Sequence, residues 1–169
     1  MALIKTRSRG INLADTFAFS GTVSGAGGGK INQVIQTVFT TSDISTTNTS
    51  FTATGHIVTI QPTATSSKVL IHTHLGDAFM RDDTGNLHLG VFCNVSGSYA
   101  DISGSGARIR SNPQATQTGV GSFCILHSPN TTSSISYQMY FHYQGSGGAV
   151  YYQNSGTYDS RMIAMEVLA

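Results

Sequence analysis

The stretch at residues 134–144, SISYQMYFHYQ, constrains the fold of this chain more than any other. Large apolar side chains occupy its odd-numbered positions and polar side chains occupy its even-numbered positions, with Tyr140 as the exception. Side chains on a β-strand point alternately to the two faces of a sheet, so this pattern predicts one apolar and one polar face. At ~3.3 Å per residue the strand spans roughly 35 Å, enough to cross a domain. The sequence therefore predicts a central strand of an antiparallel sheet.

Other segments along the chain have strand-like patterns and are expected to build the rest of the fold. They lie at residues 31–41, 55–61, 68–77, 87–95, 122–127, 149–153 and 161–168. Turn-forming Gly, Ser, Thr and Asn residues separate them, and no segment shows a helical period. About eight strands in this order predict an all-β fold, an antiparallel β-sandwich or jelly roll.

The strand expected at residues 31–41 has apolar residues on both parities. Ile35 and Phe39 share one parity, whereas Val34 and Val38 share the other. Alternation of this kind indicates that both faces of the strand are covered for part of its length.

Two regions are predicted to be irregular. Residues 51–53 are expected to form a short hairpin-like pair with residues 55–61. Residues 96–121 are rich in Gly and Ser and have few large apolar side chains. A loop of this length in a compact domain is usually a functional or interface loop.

The start of the chain differs from the rest. Basic and apolar residues are followed by the sequence GAGGG at residues 25–29, which is typical of a hinge or a close-contact loop. We interpret residues 1–29 as an extended arm that lies on another molecule, and residues 30–169 as the body. The arm residues expected to bind that partner are Lys5, Arg7, Arg9, Ile11, Leu13, Phe17 and Phe19. In the alternative, the arm folds back on its own core.

The charge content excludes several classes of partner. Only 10% of the residues are charged, against ~25% in an average soluble domain, which is typical of extracellular or virion surfaces. A net charge of +1 argues against nucleic acid as a partner. No apolar run approaches the ~20 residues of a membrane span, and the N-terminus lacks the apolar centre of a secretory signal. We therefore expect synthesis in a cytoplasm and no membrane partner.

The cysteines and histidines offer little for chemistry. Cys93 and Cys124 lie on different predicted strands, where a disulfide is possible, but a cytoplasmic origin favours two buried free thiols. His72 and His74 could hold a metal ion with a histidine from a neighbouring strand, although surface histidines are the more common explanation of such spacing. The chain has no nucleophile elbow, phosphate-binding glycine loop or paired carboxylates. We expect neither enzyme activity nor a cofactor.

Tyrosines concentrate in the last third of the chain. Tyr137, Tyr140, Tyr143 and Tyr151 are assigned to the core and to an interface between subunits, because tyrosine supplies a large contact area. The alternative is a patch that binds carbohydrate or a receptor.

Three segments resemble known proteins. The sequences GINLADTFAFSGTVSGAGG at residues 10–28, SSKVLI at residues 66–71 and HSPNTTSSISYQM at residues 127–139 are similar to segments of structural proteins of marine and cyanobacterial tailed phages. The resemblance implies a small jelly-roll or sandwich module that trimerises, either as a capsid cement (decoration) protein or as the end module of a tail or head fibre. The chain has no coiled-coil heptad, repeat or long shaft before Lys30, which favours a protein bound flat on the capsid.

The expected function is therefore that of a cement protein on the outer surface of the capsid, made in the host cytoplasm. Its expected partner is the major capsid protein, and three arms of a homotrimer would clamp neighbouring capsomers by avidity. The alternative is a receptor-binding fibre module in which residues 96–121 and exposed tyrosines bind a host glycan.

Overall fold

A computed structural model describes residues 30–80, 86–95, 97–104, 107–110, 117–145, 148–153 and 157–168. These ranges contain β-strands and no helix, and therefore no helix that crosses a membrane. The strands are β1 (Ile31–Phe39), β2 (Ile44–Thr46), β3 (Thr52–Ile60), β4 (Lys68–Met80), β5 (Asn86–Asn94), β6 (Tyr99–Asp101), β7 (Ala107–Arg110), β8 (Gln117–His127), β9 (Ile135–Gln144), β10 (Val150–Gln153) and β11 (Ser160–Val167). The predicted all-β class is confirmed.

The first sheet, sheet A, is organised around β4. One edge of β4 pairs with β8 over residues 69–80. The other edge pairs with β11 at residues 68–74 and with β10 at residues 79–80. Outside these, β1 pairs with β11 and β2 pairs with β10, so sheet A has six strands, all antiparallel to their neighbours.

The second sheet, sheet B, is organised around β9. It pairs with β3 on one edge and with β5 on the other. The far edge of β5 pairs with β7 in its first half and with β6 in its second half. The central strand predicted from residues 134–144 is thus confirmed.

The chain alternates between the two sheets in the order of a jelly roll. If β6 and β7 count as one position and β2 and β10 as additions, sheet A contains the first, eighth, third and sixth strands. Sheet B then contains the second, seventh, fourth and fifth strands. This arrangement of eight antiparallel strands in two sheets is a jelly roll. Residues 1–29, the predicted arm, lie outside the described residues, and the trimer stays a prediction.

The hydrophobic core lies between the inner faces of the two sheets. The odd-numbered side chains of β9 are all buried: Ile135, Tyr137, Met139, Phe141 and Tyr143. They belong to one cluster with inner residues of β4 such as Val69 and Ile71. Full burial of one large apolar side chain stabilises a fold by about 1.5–3 kcal/mol, so this layer joins the two sheets.

Two predictions about irregular segments are wrong. Residues 52–60 form the single strand β3 and not a hairpin, because Gly55, with φ of 82°, lets the strand bend where its register shifts. Residues 96–121 contain β6, β7 and the start of β8 instead of one long loop. Their Gly and Ser content weakens the alternation that reveals the other strands.

A buried carboxylate holds the start of β1, next to residue 30, against the rest of the fold. Glu166 of β11 is 0% exposed, and its Oε2 accepts hydrogen bonds from Asn32 Nδ2 and Gln33 Nε2, both at 2.8 Å. Its Oε1 accepts from the backbone N and the Oγ1 of Thr63 at 2.6 and 2.8 Å. Burial alone would raise the pKa of Glu166, but these donors outweigh burial and lower that pKa. Glu166 therefore ties β11 to the start of β1 and to the β3–β4 connection.

The substitution Glu166→Gln is expected to lower the free energy of unfolding by about 2–4 kcal/mol. It replaces one carboxylate oxygen, which accepts hydrogen bonds, by an NH2 group that would face the same donors. Chemical denaturation at pH 7 measures the change. Asp43→Asn is the matched control, since Asp43 is exposed and Asn also accepts its φ of 60°. An equal effect of both substitutions would contradict the structural role of Glu166.

A buried histidine lies between the sheets. His56 is 1% exposed, its Nδ1 is 2.7 Å from the hydroxyl oxygen of Tyr152, and its ring stacks on Phe39. Burial lowers the pKa of His56 to about 4, and a hydrogen bond with the Thr37 backbone offsets only part of this effect. The imidazole is therefore neutral at pH 7.

Acid is expected to destabilise the fold through His56. Its pKa is about 4 in the folded chain and 6.5 in the reference state, so the unfolded chain binds more protons between these values. The free energy of unfolding should fall by about 2–3 kcal/mol as the pH drops through this window. His56→Asn, which keeps a polar atom near Tyr152, should remove that slope in denaturation curves at several pH values. An unchanged slope would show that other groups cause it.

Candidate functional site

A row of apolar side chains crosses the outer face of sheet A. Val34 of β1 pairs with Met165 of β11, and Met165 pairs with Leu70 of β4. Leu70 in turn pairs with Leu126 of β8. These four residues, here named the apolar strip, line up across four neighbouring strands because the pairing registers match.

The two ends of the apolar strip are exposed. Val34 is 58% exposed and Leu126 is 54% exposed, and Val38, further along β1, is 48% exposed. An outer face of an antiparallel sheet is commonly polar, and a contiguous apolar patch on it marks a contact site. The sequence predicts that both faces of β1 are covered for part of its length, yet within the described part of the chain Val34 and Val38 are exposed.

The apolar strip leads into a groove on the same face, here named the cationic groove. It has a volume of about 550 Å³ and is lined by Gln36, His72, His74, Arg161 and Ile163 together with residues 157–159. The pairing registers place Gln36, Ile163 and His72 in the row next to the strip. Arg161 and His74 pair in the following row. The side chains therefore change from apolar to polar and charged along one sheet face.

One wall of the cationic groove is held firmly against β4. A Cβ atom at Gly76 would lie 2.5 Å from the backbone oxygen of Asp159, so only glycine permits this approach. Behind the wall, the buried side chain of Gln153 donates to the backbone oxygen of Tyr158 and accepts a hydrogen bond from Ser160 Oγ. Ser160 Oγ also accepts from the backbone N of Gly76 at 3.1 Å. The groove is thus formed in advance of any ligand.

The charges in the groove favour an anion over a metal ion. Arg161 Nη2 lies 3.5 Å from Asp159 Oδ2, longer than the ~2.7–2.9 Å of a charge-assisted hydrogen bond. His72 Nε2 lies 3.0 Å from Ser122 Oγ. In the described ranges no group of three His, Cys, Asp or Glu side chains could hold a metal ion around His72 and His74 or elsewhere. A guanidinium beside the imidazoles would also repel a cation.

A second surface, on the outer face of sheet B, is a row of six rings. Their centroids are separated by 6.0 Å (Tyr99–Tyr140), 4.0 Å (Tyr140–Phe92), 5.2 Å (Phe92–Phe51), 4.6 Å (Phe51–His142) and 4.4 Å (His142–His88). All six side chains are half-buried. This aromatic row explains why Tyr140 departs from the alternation of its strand.

A glycine makes room for the aromatic row. Gly90 of β5 pairs with Tyr140, and a Cβ at Gly90 would lie 3.1 Å from the Phe51 ring. Polar side chains border the rings: Asp101 pairs with Phe92 across β5 and β6, and Gln138 pairs with Phe92 across β5 and β9. Gln138 is buried, whereas Asp101 is exposed, so the rings offer a stacking surface with one exposed carboxylate beside it.

The structure separates the four tyrosines that were assigned to a subunit interface. Tyr137 is 0% exposed and Tyr143 is 2% exposed, so both belong to the core and have no surface for a second subunit. Their shared parity on β9 places them there. Tyr140 and Tyr151 are half-buried, and their interface role stays a prediction. The predicted arm residues Lys5, Arg7, Arg9, Ile11, Leu13, Phe17 and Phe19 lie outside the described residues.

The two cysteines are free thiols, as predicted, and the structure places them on different sheets. Burial raises the pKa of Cys93 to about 11, which makes it a poor nucleophile. The prediction that both thiols are buried is wrong for Cys124. It pairs with His72 on the outer parity of β8 and is exposed.

Neither a protein-family model nor a curated protein matches the chain. A solved structure with a similar arrangement is that of the Gx strain of infectious bursal disease virus, with 13% sequence identity and a TM-score of 0.40. The match covers 82% of this chain and 39% of that chain, so this protein spans about two fifths of the other's length. A likeness of this size identifies no family. The resemblance to tailed-phage proteins stays a prediction.

Proposed function

We propose that this protein is a structural protein of a phage virion, a cement (decoration) protein that binds the outer capsid surface. The observation that carries the proposal is the apolar strip. Val34 and Leu126, at its two ends, are each more than half exposed on the outer face of sheet A. Such a face gains free energy when another protein covers it.

The position of residue 30 allows the arm and the apolar strip to act together. Glu166 holds the start of β1 through Asn32 and Gln33. Val34 lies four residues after Lys30, roughly 13 Å along the chain at ~3.3 Å per residue. An arm leaving at Lys30 therefore starts beside the strip, and both can bind one partner surface.

Avidity supplies the mechanism. A shell under pressure from packaged DNA opens where capsomers meet, and a protein that binds only the closed arrangement stabilises it by mass action. In a homotrimer, three faces and three arms would bind neighbouring copies of the major capsid protein at once. The proposed contacts of the arm are apolar at Ile11, Leu13, Phe17 and Phe19 and ionic at Lys5, Arg7 and Arg9. This function needs no catalysis and no cofactor.

The double substitution Val34→Ser/Leu126→Ser is expected to weaken binding to isolated phage heads at least tenfold, because it makes the strip polar at both ends. Deletion of residues 1–29 should weaken it further while leaving a folded body. Co-sedimentation with heads measures both effects. Ile57→Ser is the matched control, since Ile57 is 38% exposed on the outer face of sheet B.

Two results would contradict the cement function. One is head binding that survives both the strip substitutions and the arm deletion. The other is an equal loss with Ile57→Ser, which would show a general effect of surface polarity.

The aromatic row supports a second candidate function, recognition of a host glycan by a receptor-binding fibre module. Tyr99 comes from the segment that was expected to form a binding loop, and it lies 6.0 Å from Tyr140, ring to ring. Aromatic faces bind the apolar faces of sugars, and Asp101, which is exposed beside Phe92, can form a hydrogen bond with them.

If the glycan function holds, the purified protein should block phage adsorption to cells, and Tyr99→Ala/Tyr140→Ala should remove most of this inhibition. Tyr158→Ala is the control, because Tyr158 is 60% exposed and lies on the sheet A side. An adsorption assay and a glycan array give the readout. Absence of inhibition by the unchanged protein would reject the glycan function.

A further inference from the structure

Four side chains of the cationic groove carry N–H donors. The Arg161 guanidinium, the Gln36 amide and the imidazoles of His72 and His74 line it. Among its described lining residues Asp159 provides the one carboxylate. Asp159 balances the charge of Arg161, so binding of an anion here depends on the N–H groups of the guanidinium, the amide and the imidazoles that Asp159 does not use.

Arg161 keeps donors available for a ligand. Its side chain is 52% exposed and one of its nitrogens contacts Asp159 at 3.5 Å. A guanidinium has five N–H donors in a planar fork, and two parallel N–H bonds match the two oxygens of a carboxylate. Gly76 and Gln153 hold the wall at residues 157–159 in place. The wall therefore loses little conformational entropy when a ligand binds.

The groove and the apolar strip together fit a polypeptide. Along β11, Arg161, Ile163 and Met165 point outward at alternate positions, from the groove to the strip. Alternate residues of an extended chain are spaced by roughly 6.6 Å, which is the same spacing. A ligand that fills both regions therefore needs a carboxylate followed by apolar groups at alternate positions. An acidic sugar would fill the groove and leave the strip uncovered.

We propose that the cationic groove binds the carboxylate of an Asp or Glu side chain in an extended segment of a partner protein, while apolar side chains of that segment cover the apolar strip. The identity of the partner as a capsid protein rests on the proposed function. The carboxylate site itself does not.

Two blocked peptides test the site on the full chain: acetyl-Glu-Ser-Val-Ser-Val-amide and the same peptide with Gln in place of Glu. NMR titration follows the imidazole signals of His72 and His74 and the methyl signal of Met165. The Glu peptide should bind at least tenfold more tightly than the Gln peptide, since charge-assisted bonds are lost with Gln. Arg161→Gln should abolish this preference, and Arg161→Lys should restore part of it.

Lys68→Gln is the matched control. Lys68 is an exposed cation on the outer parity of the same strand as His74, roughly 20 Å along the sheet. Its loss should leave the preference for the Glu peptide unchanged. Equal binding of the two peptides, or an equal effect of Lys68→Gln and Arg161→Gln, would overturn the proposal.

Two further measurements identify what occupies the cationic groove. If sodium glucuronate shifts the same signals as strongly as the Glu peptide, the ligand of the groove is a sugar acid and not a protein segment, which overturns the proposal. Asp15 is the one acidic residue among residues 1–29. Peptide binding that appears only after Asp15→Asn would show that the arm of this chain fills the groove, which also overturns the proposal.

Head binding separates this inference from the proposed function. If Val34→Ser/Leu126→Ser abolishes co-sedimentation with heads and Arg161→Gln leaves it unchanged, the inference fails and the cement function stands. If the groove distinguishes the peptides in a protein that does not bind heads, the carboxylate site stands and the cement function fails.

Discussion

Apolar packing between the inner faces of the two sheets is the interaction on which the rest of the structure depends. The side chains of Tyr137, Met139 and Phe141 are fully buried against sheet A, which fixes the parity of β9 and of the strands beside it. Once the inner parity is fixed, every other residue of each strand must face outward. The apolar strip, the cationic groove and the aromatic row are therefore consequences of pairing registers as much as of the residues that form them.

The sequence predicts the parts of the fold in which alternation is regular. β9 and β5 follow from their patterns, and a β-sandwich or jelly roll follows from the number of strands and the absence of a helical period. Registers do not follow, because a shift by two residues keeps every side chain of a strand on its own face. For this reason Val34 and Leu126, distant in the chain, could not be joined into one row from the sequence. The burial of Glu166 was equally hidden, since its donors come from two other segments.

The signals for the two surfaces were present in the sequence but incomplete. Apolar residues on both parities at residues 31–41 indicated a covered outer face, and Tyr140 marked an irregularity on the polar face of β9. Neither signal shows what lies on the adjacent strands. His72 and His74 were read as possible metal ligands, and only the pairing of β4 with β11 places Arg161 beside them. With Arg161 beside the two imidazoles, the groove favours an anion over a metal cation.

The thiol of Cys124 gives experimental access to this face. It is exposed on β8, directly across from His72, whereas the chain's other cysteine is buried. A maleimide dye added to the native protein would therefore react at one position next to the groove and the strip. The natural sequence thus carries an attachment point from which occupancy of the face can be followed by fluorescence, without engineered mutations.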